Sequence, residues 1–186
     1  MKNKAFYIIS FIFWLLPFIT RIFFIEINLE QYDSDLNNTS SDTMNNIISS
    51  LSEGNKQNAF ILIFFNNLKG CVINIVGGVL LGFGTIINLM INGFYSADIF
   101  INSYNVGMSI KSILKVTLPH SFELIGFWLS GAIGFYIAWN IIQFMRGKES
   151  MTPNFYKNVG IYSFITFFII LGAAYIEVYV SATIKI

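Results

Sequence analysis

One histidine occurs in the chain, His120, with a carboxylate three residues later, in the stretch Leu118-Pro119-His120-Ser121-Phe122-Glu123. On a helix, residues three apart share a face, so His120 and Glu123 point the same way. A histidine beside a carboxylate can titrate near neutrality, hold a metal or pass a proton. The stretch opens an apolar run from Phe122 to Met145, long enough for the roughly 20 residues that cross a bilayer. The two groups therefore stand where a membrane begins. A second carboxylate, Glu177, lies near the end of the last apolar run, Val159 to Val180. The turn between these runs centres near Thr152, which makes them antiparallel neighbours. Glu123 lies about 29 residues before that centre and Glu177 about 25 after it, so at 1.5 Å per residue they fall at nearly the same depth. Asn92 closes the preceding span on the same membrane side. The expected polar intramembrane cluster is Asn92, His120, Glu123 and Glu177.

Three chemistries compete for these groups. A buried polar network specifies how helices pack when every member is bonded. A polar cavity for protons, an ion or a peptide is the alternative, because ionisable groups at membrane depth mark functional sites. An intramembrane metalloenzyme ligated by His120, Glu123 and Glu177 is disfavoured by the lack of a His-Glu-x-x-His motif, a second histidine, or a paired nucleophile and base. No catalytic residue, metal ligand or cofactor is assigned, and the protein is expected not to be an enzyme.

Composition sets the frame around them. Hydrophobic residues make up 55% and charged residues 11% of the 186, with a mean hydropathy of +0.64. Soluble domains carry about a quarter charged residues, so the chain reads as an integral membrane protein whose first partner is the lipid bilayer. The net charge of +1 and the scatter of basic residues from Lys2 to Lys185 form no stripe, which excludes a nucleic-acid partner. The lone Cys71 has no intrachain disulfide partner and reads as a small buried side chain.

The elements that must position the cluster follow in order. Lys2 and Lys4 precede an apolar stretch over residues 5–25, interrupted by Pro17 and Arg21. It is long and lacks a small-residue cleavage site, so it reads as an uncleaved first transmembrane helix with a cytoplasmic N-terminus. Residues 26–58 are acidic and polar, an extracytoplasmic loop too short to bury its own core and suited to facing a partner. Within it, Met44 to Leu51 fits a short amphipathic helix.

Phe60 to Phe65 is apolar, Asn66-Asn67-Leu68-Lys69-Gly70 breaks the run, and Val72 to Phe94 resumes it with Asn74, Asn88 and Asn92 embedded. Polar side chains at that depth must face protein, so Asn66, Asn67 and Asn74 are expected to pack helices together. Gly78 with Gly82, and Ser130 with Gly134, form small-xxx-small pairs that permit close contact between helices or between copies of the chain. Residues 96–116 are expected to hold an interfacial helix, with Ile110, Ile113, Leu114 and Thr117 on one face and Lys111 and Lys115 on another. Thr117 would cap the next helix, with Pro119 in its first turn.

The result is one membrane domain, residues 1–186: an all-α polytopic bundle of four transmembrane helices, with five as the alternative, plus interfacial or re-entrant half-helices. In the four-span arrangement residues 59–69 form a half-helix; in the five-span one residues 59–97 cross twice, turning near Gly77-Gly78. Each arrangement leaves five basic residues inside, so charge does not decide. Length favours four, since about 39 residues barely make two spans and Lys69 would lie deep.

At this point the sequence resembles the stage II sporulation protein M family of bacterial membrane proteins. The resemblance rests on Phe65-Asn66-Asn67, a glycine-rich span ending in Asn92-Gly93, Leu118-Pro119-His120-Ser121-Phe122-Glu123-Leu124 leading to Gly131 and Gly134, and Ala173-Ala174-Tyr175-Ile176-Glu177. These pieces stand in order over roughly residues 60–183, a core bundle placed at 59–183. Ser121 departs from the family's usual glycine, and Ser181-Ala182-Thr183 from its frequent threonine-proline. The resemblance implies a multi-pass protein of the bacterial cytoplasmic membrane that works with partner proteins. One branch acts with peptidoglycan-degrading partners in engulfment during sporulation; others are similar to components of antimicrobial-peptide (bacteriocin) clusters, encoded with ABC transporters and linked to self-immunity. The expected function is a non-enzymatic scaffold for a complex of membrane or cell-wall proteins, the alternative a transport or immunity component.

Overall fold

The computed structural model describes residues 4–24, 40–105, 107–117, 120–148 and 151–180, with side chains except at 24, 40–44 and 115–120. Among them there is no strand. The helices are α1 (Ala5–Phe24), α2 (Ser40–Ser52), α3 (Lys56–Gly77), α4 (Phe83–Asn105), α5 (Ile110–Thr117), α6 (His120–Met145) and α7 (Pro153–Tyr175), extended by a π-helical turn, Ile176–Val180. Four of them are long and apolar enough to cross a membrane: Ala5–Phe23, Lys56–Gly77, Ser121–Met145 and Pro153–Val180. The all-α class, with four helices long and apolar enough to span, is what the chain adopts, and the pair α3–α4 turning after Gly77 is the hairpin of the five-span alternative.

Which residues form the spans differs from the sequence reading. Residues 59–69 are no half-helix, because α3 runs unbroken through Asn66-Asn67-Leu68-Lys69-Gly70 to Gly77. Periodicity explains it: Asn67 is buried, whereas Asn66 and Lys69 lie on the exposed face, so the polar residues mark different sides of one helix. Nor is Val72–Phe94 one span. The chain turns at Gly78–Gly82 and returns as α4, 23 residues or about 34 Å long. Gly82 takes a left-handed φ of +88° that glycine adopts without strain. Gly77 and Gly84 lie so close across this hairpin that a methyl on either would strike the other helix's backbone. Asn88, Asn92, Ser96 and Asp98 make α4 less apolar than the four spans, and it runs against α1 and α3.

Contacts fix the directions. Phe6 packs edge-on against Tyr136 at 5.9 Å between ring centres, and Trp14 against Trp128 at 5.6 Å, so α1 and α6 are antiparallel. Tyr136 also meets Phe155 at 5.5 Å, and Gly78 abuts Gly134. The start of α1, the α3–α4 turn and the start of α7 therefore share one end of the bundle with Arg146 and Lys148. The opposite end carries Arg21, α2, the start of α6 and the π-helical turn.

Local signals account for the boundaries. Asn55 caps α3, its Oδ1 accepting from the Asn58 N–H at 3.1 Å. Pro153 occupies the first turn of α7, where its missing N–H costs nothing. Ser109 caps α5 by accepting from the Ser112 N–H at 3.1 Å. The cap expected from Thr117 and Pro119 falls outside the described residues and side chains. The α2 helix covers the expected amphipathic stretch and packs Ile47 against the core beside α3.

Candidate functional site

A hydrogen-bonded lattice of polar side chains runs between α3, α4 and α6. Asn74 is its centre, fully buried. Its Nδ2 donates to Ser130 Oγ at 2.9 Å and to the Phe127 carbonyl at 3.4 Å on α6. Its Oδ1 accepts from Asn88 Nδ2 at 2.8 Å, and its backbone carbonyl from Thr85 Oγ1 at 2.7 Å, both on α4. One side chain thus ties three helices. Asn88 Nδ2 also donates to the Gly70 carbonyl at 3.0 Å, and Ser130 Oγ to the Phe127 carbonyl at 2.8 Å. Cys71, buried and free, lies against Ser130. Two turns towards the opposite end, Asn67 donates to Glu123 Oε1.

Sequence spacing produces this geometry. Asn67 and Asn74 are seven apart on α3, and Glu123 and Ser130 seven apart on α6, so each pair stacks on one face. Both cross-helix bonds join residues separated by 56 positions, and Gly78 meets Gly134 at the same offset. A constant offset means parallel helices locked in one register. The close approach needs glycine, since a methyl at Gly78 or Gly134 would collide with the facing backbone. Gly131 is packed similarly by Ser10 and Leu89.

The expected cluster is placed as follows. Asn92 lies at the level of Asn67 through the antiparallel α3–α4 pairing, but donates within its own helix, to the Asn88 carbonyl at 2.7 Å. Glu123 meets Asn67 on α3. Glu177 sits half-buried in the π-helical turn, where Val178 joins the core of Ala59, Ile63 and Phe64 and Tyr179 packs on Phe60 at 6.3 Å. That is about one turn, roughly 6 Å, further out than Glu123. The His120 backbone begins α6; its side chain lies outside the described residues. Asn66 faces outward, and Gly82 belongs to the turn instead of a helix face.

Sequence reasoning missed the ion pair Arg21–Asp98, with Nε to Oδ1 at 2.6 Å and side-chain exposures of 5% and 22%. The signal was present, because an arginine inside an apolar run requires a partner. Its acid is 77 residues away and emerges only when α1 lies along α4.

These features define an α-helical polytopic membrane protein whose interior polar groups bond to one another across helices. The family model for Stage II sporulation protein M matches residues 5–182, and the chain belongs to that family. It is 32% identical over 134 residues to an uncharacterized protein of the archaeon Methanocaldococcus jannaschii, covering 70% of this chain and 75% of that one. No solved structure matches.

Proposed function

We propose that the protein is a non-enzymatic scaffold of the cytoplasmic membrane that holds a complex of partner proteins, with its N-terminus in the cytoplasm. The observation that carries the reading is the closure of the lattice: Asn67, Asn74, Asn88, Ser130 and Glu123 spend their hydrogen bonds fixing helices to one another. The cavities beside Trp139 and beside Phe11 are lined by other residues. A transport passage would need polar groups presented to an open path. Lys4 shares its end of the bundle with Arg146, Lys148 and Lys157, in keeping with a cytoplasmic face.

The face offered to a partner is α2, where Ile48 is 57% exposed and Leu51 38% exposed while Ile47 turns inward. Copurification from native membranes tests this. A defined membrane or cell-wall partner should be retained at fixed stoichiometry and be lost from an Ile48→Ser/Leu51→Ser variant that still inserts. Partner-free protein at native expression overturns the scaffold reading. So does an assembled complex whose protection against an antimicrobial peptide disappears with Glu123→Gln alone, which would establish the transport and immunity alternative.

A further inference from the structure

A cavity of about 500 Å³ opens at the Lys4 end of the bundle, between the last turns of α6 and the first turn of α7. Among the described residues its charged lining is two cations, Arg146 and Lys148, and its polar lining is Asn140, Gln143, Thr152 and Asn154. Tyr136, Trp139 and Phe155 supply aromatic surface to the same space. We infer that this cavity is a binding site for the phosphate head group of an anionic phospholipid.

Three observations converge on that ligand. Three acceptors at the end of α6 are already used: the Arg146 N–H donates to the Ile142 carbonyl at 3.1 Å, Gly147 to Phe144 at 2.9 Å and Lys148 to Gln143 at 3.0 Å. Gly147 at φ +73° makes that reversal and carries both flanking cations out of the helix. The mouth is thereby left rich in donors, with the hydroxyl of Thr152 making no cap bond to α7. A fork-shaped guanidinium beside an ammonium matches a phosphate diester.

The second observation is position. The cavity lies level with the starts of α1 and α7, at one end of the apolar spans, and Trp139 beside it is half-exposed, as suits an aromatic side chain at a membrane boundary. The third is the mixed lining. Inorganic phosphate needs only the cations, whereas three rings beneath them suit the glycerol and first methylenes of a lipid. Basic pockets between membrane helices bind anionic head groups by this combination. The inference does not depend on the scaffold reading.

The test uses the full chain in detergent, probed with phosphatidylglycerol, phosphatidylcholine and inorganic phosphate, and read by native mass spectrometry and thermal shift. Phosphatidylglycerol should be retained and raise the melting temperature. Its affinity should fall about tenfold or more in Arg146→Gln/Lys148→Gln and stay unchanged in Lys56→Gln/Lys111→Gln at the opposite end. Both target side chains are exposed, and Arg146→Gln alone provides a milder second variant with a smaller loss in the same direction. Equal retention of phosphatidylcholine overturns the inference, as does equal loss in the opposite-end variant. Inorganic phosphate displacing the lipid at equal concentration would make this a free-anion site and also overturn it.

Discussion

The central helix α6 is held on two sides by different means. Against α3 it presents Glu123, Ser130 and Gly134, which meet Asn67, Asn74 and Gly78 by hydrogen bonds or direct backbone contact. Against α7 the seam is apolar: Ile170 lies over Gly126, and Phe155 over Tyr136. In lipid, apolar contact between helices has no solvent to drive it, since lipid tails are as apolar as leucine. The α3 seam therefore sets which register the helices adopt, because a shift of one turn would leave buried amides unbonded and glycines misaligned. The α7 seam contributes van der Waals contact that tolerates small displacement.

The largest effect expected from breaking that contrast comes from Gly134→Leu. The new side chain would collide with the Asn74 carbonyl and Thr85. Overpacking alone typically costs about 1–3 kcal/mol, and a backbone that cannot yield takes this to about 3 kcal/mol or more. The variant is expected to aggregate on size-exclusion chromatography. A monodisperse Gly134→Leu protein with wild-type melting temperature would show that α3 and α6 are not in direct contact.

Next in size is Asn74→Leu, which removes the side-chain bonds to α6 and α4 together and leaves Asn88 and Ser130 only their bonds to the Gly70 and Phe127 carbonyls. Interhelical hydrogen bonds in membranes are worth about 0.6 to 2 kcal/mol each, so a loss of about 2 kcal/mol is expected. The matched change on the other seam, Ile170→Val, deletes one methylene from a fully buried side chain and should cost about 1 kcal/mol. Measured side by side in detergent unfolding, the pair sharpens the comparison. Equal losses would mean that the polar seam has no special role in register.

How much of this was legible follows from what each residue needs. Composition alone placed the chain in the membrane, and the run Phe122–Met145 is α6 within two residues, while the run Val159–Val180 misses the first six residues of α7 and takes in its π-helical turn. The embedded asparagines announced interior packing. What the sequence hid was direction: Asn66, Asn67 and Lys69 read as one polar break because a linear list cannot show that they occupy different faces of α3. Likewise Gly77, Gly78, Gly82 and Gly84 suit either a helix contact or a turn, and the chain uses them for both. Asn67 as the partner of Glu123, and Asp98 as the partner of Arg21, are long-range choices set by helix order, beyond any local motif.

The smallest effect is expected from Glu123→Gln, and it bears most on what the polar groups are for. Asn67 donates its amide to Glu123 Oε1, and a glutamine carbonyl oxygen can accept the same bond from the same position. Glutamine keeps an acceptor of the same shape and loses only the charge of the carboxylate, so the melting free energy should change by about 1 kcal/mol or less. Glu123→Leu offers no acceptor and leaves the Asn67 amide unbonded, which should cost about 1–2 kcal/mol. If the carboxylate serves packing, glutamine preserves both stability and partner retention while leucine lowers both. If glutamine preserves stability yet abolishes the biological effect, the carboxylate acts as an ionisable group, and the polar seam is a working site as well as a register device.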